Sequence, residues 1–249
     1  VYALLAWAES PTGPGLSTIN QTLELINNSR EPLPSKISTT TDLQSADLSQ
    51  NTESLLLQGL ELNKRLLGNE SPTVADGLSD LAGFYELQGR YGEAEPLLLE
   101  ALDLRKRLLG DDHPDIADTL NNLASLYESQ GRYKEAEPLY LQALELNRHL
   151  LGESHPSVAT SLNNLAALYN SQGRYAEAEP LLVQALELRI HVLGESHPDI
   201  AISLNNLATL YNRQGRYGEA EPLLLQALEL NRRLLGESHP SVATSLNNL

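Results

Sequence analysis

From residue 72 onward the chain alternates two apolar patterns. In the first, apolar residues fall three and four apart, as at Ala117, Leu120, Leu123, Ala124 and Tyr127. That spacing keeps them on one face of a helix. The pattern opens at Pro114, just after His113, and stops at Gln130 and Gly131. Proline suits the first helical position, and glycine suits the left-handed residue that closes a helix. The second pattern runs from about Lys134 to Leu151, with a stripe of Ala136, Leu139, Tyr140, Ala143, Leu144, Leu150 and Leu151. Glu135 and Glu137 near its start and Arg148 near its end suit the helix dipole, and Gly152 ends it. Pro138 falls about one turn inside, as do Pro96, Pro180 and Pro222 in their own copies. Each removes one backbone hydrogen bond and is expected as a tolerated early-turn proline.

The pair of patterns recurs every 42 residues. Gly-Arg-Tyr starts at Gly89, Gly131, Gly173 and Gly215, and Glu-Ala-Glu-Pro at Glu93, Glu135, Glu177 and Glu219. His-Pro occurs at His113, His155, His197 and His239, with Ser71-Pro72 as an earlier variant. Residues 121–162 and 163–204 agree at 31 of 42 positions, which chance does not produce. Neither helix is apolar all round, so each pair can bury its stripes only against its partner and its neighbours. The expectation is an all-α, right-handed superhelical solenoid of antiparallel helix pairs with a concave inner surface. It divides into an arm or linker over 1–50, a half repeat at 52–68, full repeats at 72–110, 114–152, 156–194 and 198–236, and a partial repeat at 240–249.

Leu120, Leu123, Ala124, Tyr127, Gly131, Tyr133, Ala136 and Ala143 match the tetratricopeptide (TPR) pattern. The unit here is 42 residues rather than the usual 34, and it resembles the repeats of kinesin light chains and related bacterial proteins. In that family the first helix of each repeat lines a groove that holds extended peptides, and asparagines on that helix grip the peptide backbone or a carboxylate. The resemblance therefore implies a non-catalytic protein-interaction scaffold. Such arrays also serve as sensor arms of larger signalling proteins, a reading that stays open. So does a structural one, in which the repeats drive head-to-tail self-association.

"LNNLA" begins at Leu120, Leu162 and Leu204, and its first four residues recur at Leu246. Asparagine is a mediocre helix former, so a repeated pair needs a reason. With the apolar stripe buried, the opposite face carries Asp118, Asn121, Asn122, Ser125, Glu128 and Ser129. Candidate ligand contacts are Asn121, Asn122, Ser125, Asn163, Asn164, Asn170, Asn205, Asn206, Thr209, Asn212, Arg213, Asn247 and Asn248. An amide offers donors and an acceptor, so it can pair with a peptide in either direction. For the first asparagine of each pair, stapling to a neighbouring helix is an equal alternative.

Charge narrows the partner. The chain carries a formal charge of −16 and a sequence pI near 4.7. That disfavours nucleic acid and anionic membranes, which need clustered cations. Among basic residues only Arg213 falls on the inner face, whereas Asp76, Asp80, Glu86, Asp118 and Glu128 line its first repeats. A neutral or basic segment fits better than an acidic one. There is no cysteine, no nucleotide loop and no nucleophile motif, so neither enzyme activity nor a cofactor is expected. The repeated histidines lie a whole repeat apart, too far to share a metal ion. The repeated tyrosines are expected as packing, and the glutamates as solvated faces.

Residues 1–50 do not repeat. Ala6-Trp7-Ala8 fits the end of an export signal, Trp7 otherwise belonging to an arm; residues 12–48 read as a linker, with a short helix expected at 16–26. With no methionine and a final broken repeat, the chain reads as part of something longer. The compartment stays open, with the cytoplasm slightly favoured over export.

Overall fold

The computed structural model describes residues 41–249; of 41–49 only the backbone is considered. The export-type stretch, Trp7 and the short helix expected at 16–26 lie outside the described residues. The described residues fall into two compact units, divided between residues 130 and 131. Their boundary falls at the turn between the two helices of one predicted repeat rather than between repeats.

The first unit contains α1 (Thr41–Leu67), α2 (Pro72–Leu87), α3 (Tyr91–Leu109) and α4 (Pro114–Ser129). The second contains α5 (Tyr133–Leu151), α6 (Pro156–Ser171), α7 (Tyr175–Leu193), α8 (Pro198–Arg213), α9 (Tyr217–Leu235) and α10 (Pro240–Asn248). Within each unit every helix packs on the next, and first-type helices also touch one another: α2 with α4, α6 with α8, α8 with α10. This is the all-α helix-pair solenoid expected from the periodicity. α1 starts at Thr41, so the last residues of the stretch expected as linker are helical instead.

The ends of the helices have local causes. His113, His155, His197 and His239 are N-caps, and each Nδ1 accepts the backbone N–H two residues on, at 3.2 Å. This satisfies one of the amides that a helix start leaves open. Gly131 and Gly152 adopt φ of 71° and 84°, a region where a side chain would be strained. Pro138 lies inside α5, and the helix continues through it.

The core is built from alanine and leucine. In the second unit Ile200, Ala201 and Leu204 of α8 meet Ala227 and Leu230 of α9, with Leu186 of α7 packed alongside. Ala166, Ala185 and Ala208 are fully buried, which lets backbones approach closely. Burying each leucine stabilises by roughly 2 kcal/mol.

A polar seam crosses this core. Asn147 of α5 donates to Ser161 Oγ on α6 at 3.0 Å, Arg189 of α7 to Ser203 Oγ on α8 at 2.8 Å, and Asn231 of α9 to Ser245 Oγ on α10 at 3.0 Å. In the first unit Arg105 bonds Thr119 in the same way and also pairs with Asp76. All eight positions from Arg105 to Ser245 that make these second-to-first-helix bonds are buried. Each bond joins the second helix of one repeat to the first helix of the next.

Candidate functional site

Each first-type helix shows solvent a stripe at intervals of four, three and four residues, the period of one helix face. On α8 it is Ile202, Asn206, Thr209 and Arg213; on α6 it is Thr160, Asn164, Ala167 and Ser171. On α4 it is Asp118, Asn122, Ser125 and Ser129, and on α2 Asp76, Asp80, Gly83 and Leu87. α10 carries its first two members, Thr244 and Asn248.

The two asparagines of each pair have separate environments, because adjacent helical residues point about 100° apart. Asn163 is 6% exposed; its Nδ2 donates to Ala159 O of its own helix at 2.9 Å, and its Oδ1 accepts Asn206 Nδ2 at 3.2 Å. The next step repeats this one: Asn205 Nδ2 bonds Ala201 O at 2.8 Å, and Asn248 Nδ2 donates to Asn205 Oδ1 at 3.4 Å. The second asparagine of one repeat thus holds the first asparagine of the repeat before it. Asn121 is 5% exposed. Buried side chains have no surface to offer a peptide, so Asn121 and Asn163 are corrected from ligand contacts to interior groups. Asn205 is half-buried and Asn247 exposed.

Asn122, Asn164 and Asn206 are half-buried and Asn248 is exposed. In Asn206 one N–H is spent on Asn163, leaving the other N–H and Oδ1. Thr209 spends its hydroxyl proton on Asn205 O at 2.8 Å. Ser125 donates to Glu86 Oε1 at 2.9 Å, and Ser129 to the same oxygen at 3.0 Å. Asn170 and Asn212 lie half-buried beside the stripe. Arg213 is exposed, and its Nη1 donates to Asn170 O at 3.3 Å.

The stripes of the first unit are acidic. Asp80 stands where the later repeats carry Asn122, Asn164 and Asn206. Burial, reinforced by the neighbouring Asp76 carboxylate, pushes its pKa up to about 7. Glu86 is also raised by burial, against the opposing pull of the Ser125 and Ser129 hydroxyls. Among the described residues, no group of three His, Cys, Asp or Glu side chains is arranged to hold a metal ion. Nor is any helix among them long and apolar enough to cross a membrane.

The arginine of Gly-Arg-Tyr and the second glutamate of Glu-Ala-Glu-Pro meet in a clasp completed by a tyrosine near the end of the first-type helix. Tyr211 donates to Glu179 Oε1 at 3.2 Å, Arg216 Nη1 to Glu179 Oε2 at 2.7 Å, and the Arg216 guanidinium covers the Tyr211 ring at 4.0 Å. Tyr169, Arg174 and Glu137 repeat it, as do Tyr85, Arg90 and Glu53. Tyr127 makes the same bond to Glu95. The Arg216 hydrogen bond is the main reason the Glu179 carboxyl lies below its usual range. The second glutamate of the motif, expected on a solvated face, therefore fastens successive repeats. Its sequence signal was the constant 32-residue offset between that glutamate and a later tyrosine.

The family model for the tetratricopeptide repeat matches residues 73–149, 115–191, 157–230 and 199–249. Among solved structures, BtubC from P. vanneervenii is similar at 26% identity and a TM-score of 0.64, covering 85% of this chain and 82% of that one. A putative kinesin light chain from Podospora anserina with nearly identical TPR-like repeats shares 26% identity at a TM-score of 0.60, over 88% and 97% of the two chains. A Rap protein, solved in complex with Competence and Sporulation Factor, shares the fold at 15% identity and a TM-score of 0.62, over 82% and 60%. No curated protein matches the chain.

Proposed function

Since the chain belongs to the tetratricopeptide repeat family, with kinesin light chain-like structural neighbours, we propose that it is a non-catalytic scaffold that holds an extended peptide segment of a partner protein on its first-helix stripes. One observation carries the reading. Asn206 and Asn248 are fixed by bonds to the preceding repeat, yet among the described residues each keeps an N–H and a carbonyl oxygen unspent. Amides held in place in this way lose little freedom when they bind. A hydrophobic interior alone would not require them.

On the first-unit stripes Asp76 is already paired with Arg105 and Asp80 titrates near neutrality, so it is Asp118 and Glu128 that favour a neutral or basic segment over an acidic one. Amides are insufficient by themselves. Each hydrogen bond nets about 1 kcal/mol, whereas micromolar binding needs about 8 kcal/mol. A side-chain anchor must supply much of the remainder.

The test is selection of binders from a displayed random-peptide library, then titration against Asn164→Ala, Asn206→Ala and their double variant. Affinity should fall stepwise while the helical circular dichroism is kept. Unchanged affinity in the double variant would remove the amides from the account.

A further inference from the structure

The stripe of α8 differs from its counterparts at both ends. Ile202 is 38% exposed at the position held elsewhere by Asp76, Asp118, Thr160 and Thr244. The seam explains why an aliphatic side chain is tolerated there. Arg105 reaches back to Asp76, and Arg189 to Thr160 at 3.4 Å, so those positions have polar partners to satisfy. The corresponding seam residue behind Ile202 is Asn231, whose Nδ2 is turned toward Ser245 and Ser241 O of α10. Ile202 thus has no bond to make in the fold.

At the other end stands Arg213, where α4 and α6 carry Ser129 and Ser171. The turn arginines Arg90, Arg132, Arg174 and Arg216 all pair with glutamates. Arg213 makes no ion pair among the described residues, although the chain carries a net charge of −16. Its bond to Asn170 O fixes one nitrogen of the guanidinium and leaves the rest of the fork for a ligand.

We propose that the α8 stripe receives a short extended segment bearing an aliphatic or aromatic side chain against Ile202 and a carboxylate against Arg213, with Asn206 holding the backbone between them. The proposal rests on the peptide-binding reading above and supplies the anchors that reading lacks. Eleven helical residues separate the two anchors, about 16 Å along the axis. An extended strand advances roughly 3.3 Å per residue, so the two ligand side chains stand about five residues apart. This concerns one carboxylate at one place in the second unit, and is compatible with a segment that is otherwise neutral or basic.

The probes are glycine–serine decapeptides carrying one Leu and one Glu at separations from one to seven residues, each with Leu→Ser and Glu→Gln counterparts. Binding is followed by nuclear magnetic resonance at millimolar peptide. The variants are Ile202→Thr and Arg213→Ser, each installing a residue that other repeats carry at that position, so the fold should be kept. Affinity should peak near a separation of five. The Leu peptide should bind about tenfold tighter than its Ser counterpart, an advantage lost in Ile202→Thr. The advantage of Glu over Gln should be lost in Arg213→Ser alone and should weaken with salt.

A flat response to separation, or advantages that survive both substitutions, overturns the proposal. If library-selected peptides still bind and still depend on Asn206, only this inference has failed. If no library peptide binds either, the peptide-binding reading falls with it.

Discussion

Asn206 Nδ2 lies 3.2 Å from Asn163 Oδ1, across a gap of 43 residues in sequence. The bond joins the half-buried member of one asparagine pair to the buried member of the pair before it. It gives the repeated pair two duties: Asn163 closes the interior, and Asn206 is set at the surface in a fixed attitude. Asn163→Ala should therefore destabilise by roughly 1–3 kcal/mol, since it also strips Asn206 of its acceptor. Asn206→Ala should cost less than Asn163→Ala while weakening peptide capture more. Urea unfolding and peptide titration of both variants check the reversal in rank.

The seam should be sensitive out of proportion to its size. Ser161→Ala removes a single oxygen but leaves Asn147, which is 1% exposed, without its acceptor. A loss of about 1–3 kcal/mol is expected, against a few tenths for Ser154→Ala in an exposed turn. Chemical denaturation of the two variants makes the comparison.

The clasp should act as a unit. Tyr211→Phe and Arg216→Gln both remove a partner of Glu179, so their effects on stability should not add. A coupling of about 0.5–1 kcal/mol that shrinks at high salt is expected from a double-mutant cycle. Simple additivity would mean that the tyrosine and arginine contacts are independent.

Asp80 gives a pH signature. Its folded pKa is about 7, raised above the ordinary aspartate value near 3.9. The folded state then binds more protons than the unfolded chain between those two values. Stability from this residue is fully present below about pH 4 and is lost as pH rises toward 7. Asp80→Asn, the amide found at Asn122, should stabilise the fold at pH 8 by on the order of 2 kcal/mol, and by progressively less toward pH 4. Denaturation midpoints across that range give the curve. A constant difference would contradict the assignment.

The helices were legible because their signals are local and repeated. A three–four spacing, His-Pro at the start and glycine at the end each act within a turn or two of chain, and the 42-residue period copies them along the sequence. The outward stripe was legible for Asn164, Asn206 and Arg213 on the same grounds, as residues opposite a buried face. The choice between stapling and ligand contact for Asn121 and Asn163 was not, because their burial depends on how closely the neighbouring helix approaches. Asn147 was read past because a polar residue inside an apolar stripe is satisfied only by Ser161 on the following helix. Glu179 looked solvated because its tyrosine and arginine partners belong to the following repeat. Ile202 could be singled out only once its counterparts Asp76 and Thr160 were known to bond the seam arginines.

The most direct test follows the side-chain amide resonances of the asparagines while a library-selected peptide is titrated into the protein. The resonances of Asn164, Asn206 and Asn248 should shift with saturation, and backbone amides around Leu141 and Leu225 on the second-type helices should not. Shifts confined to those second-type helices, with the asparagine amides unmoved, would contradict recognition on the first-helix stripes.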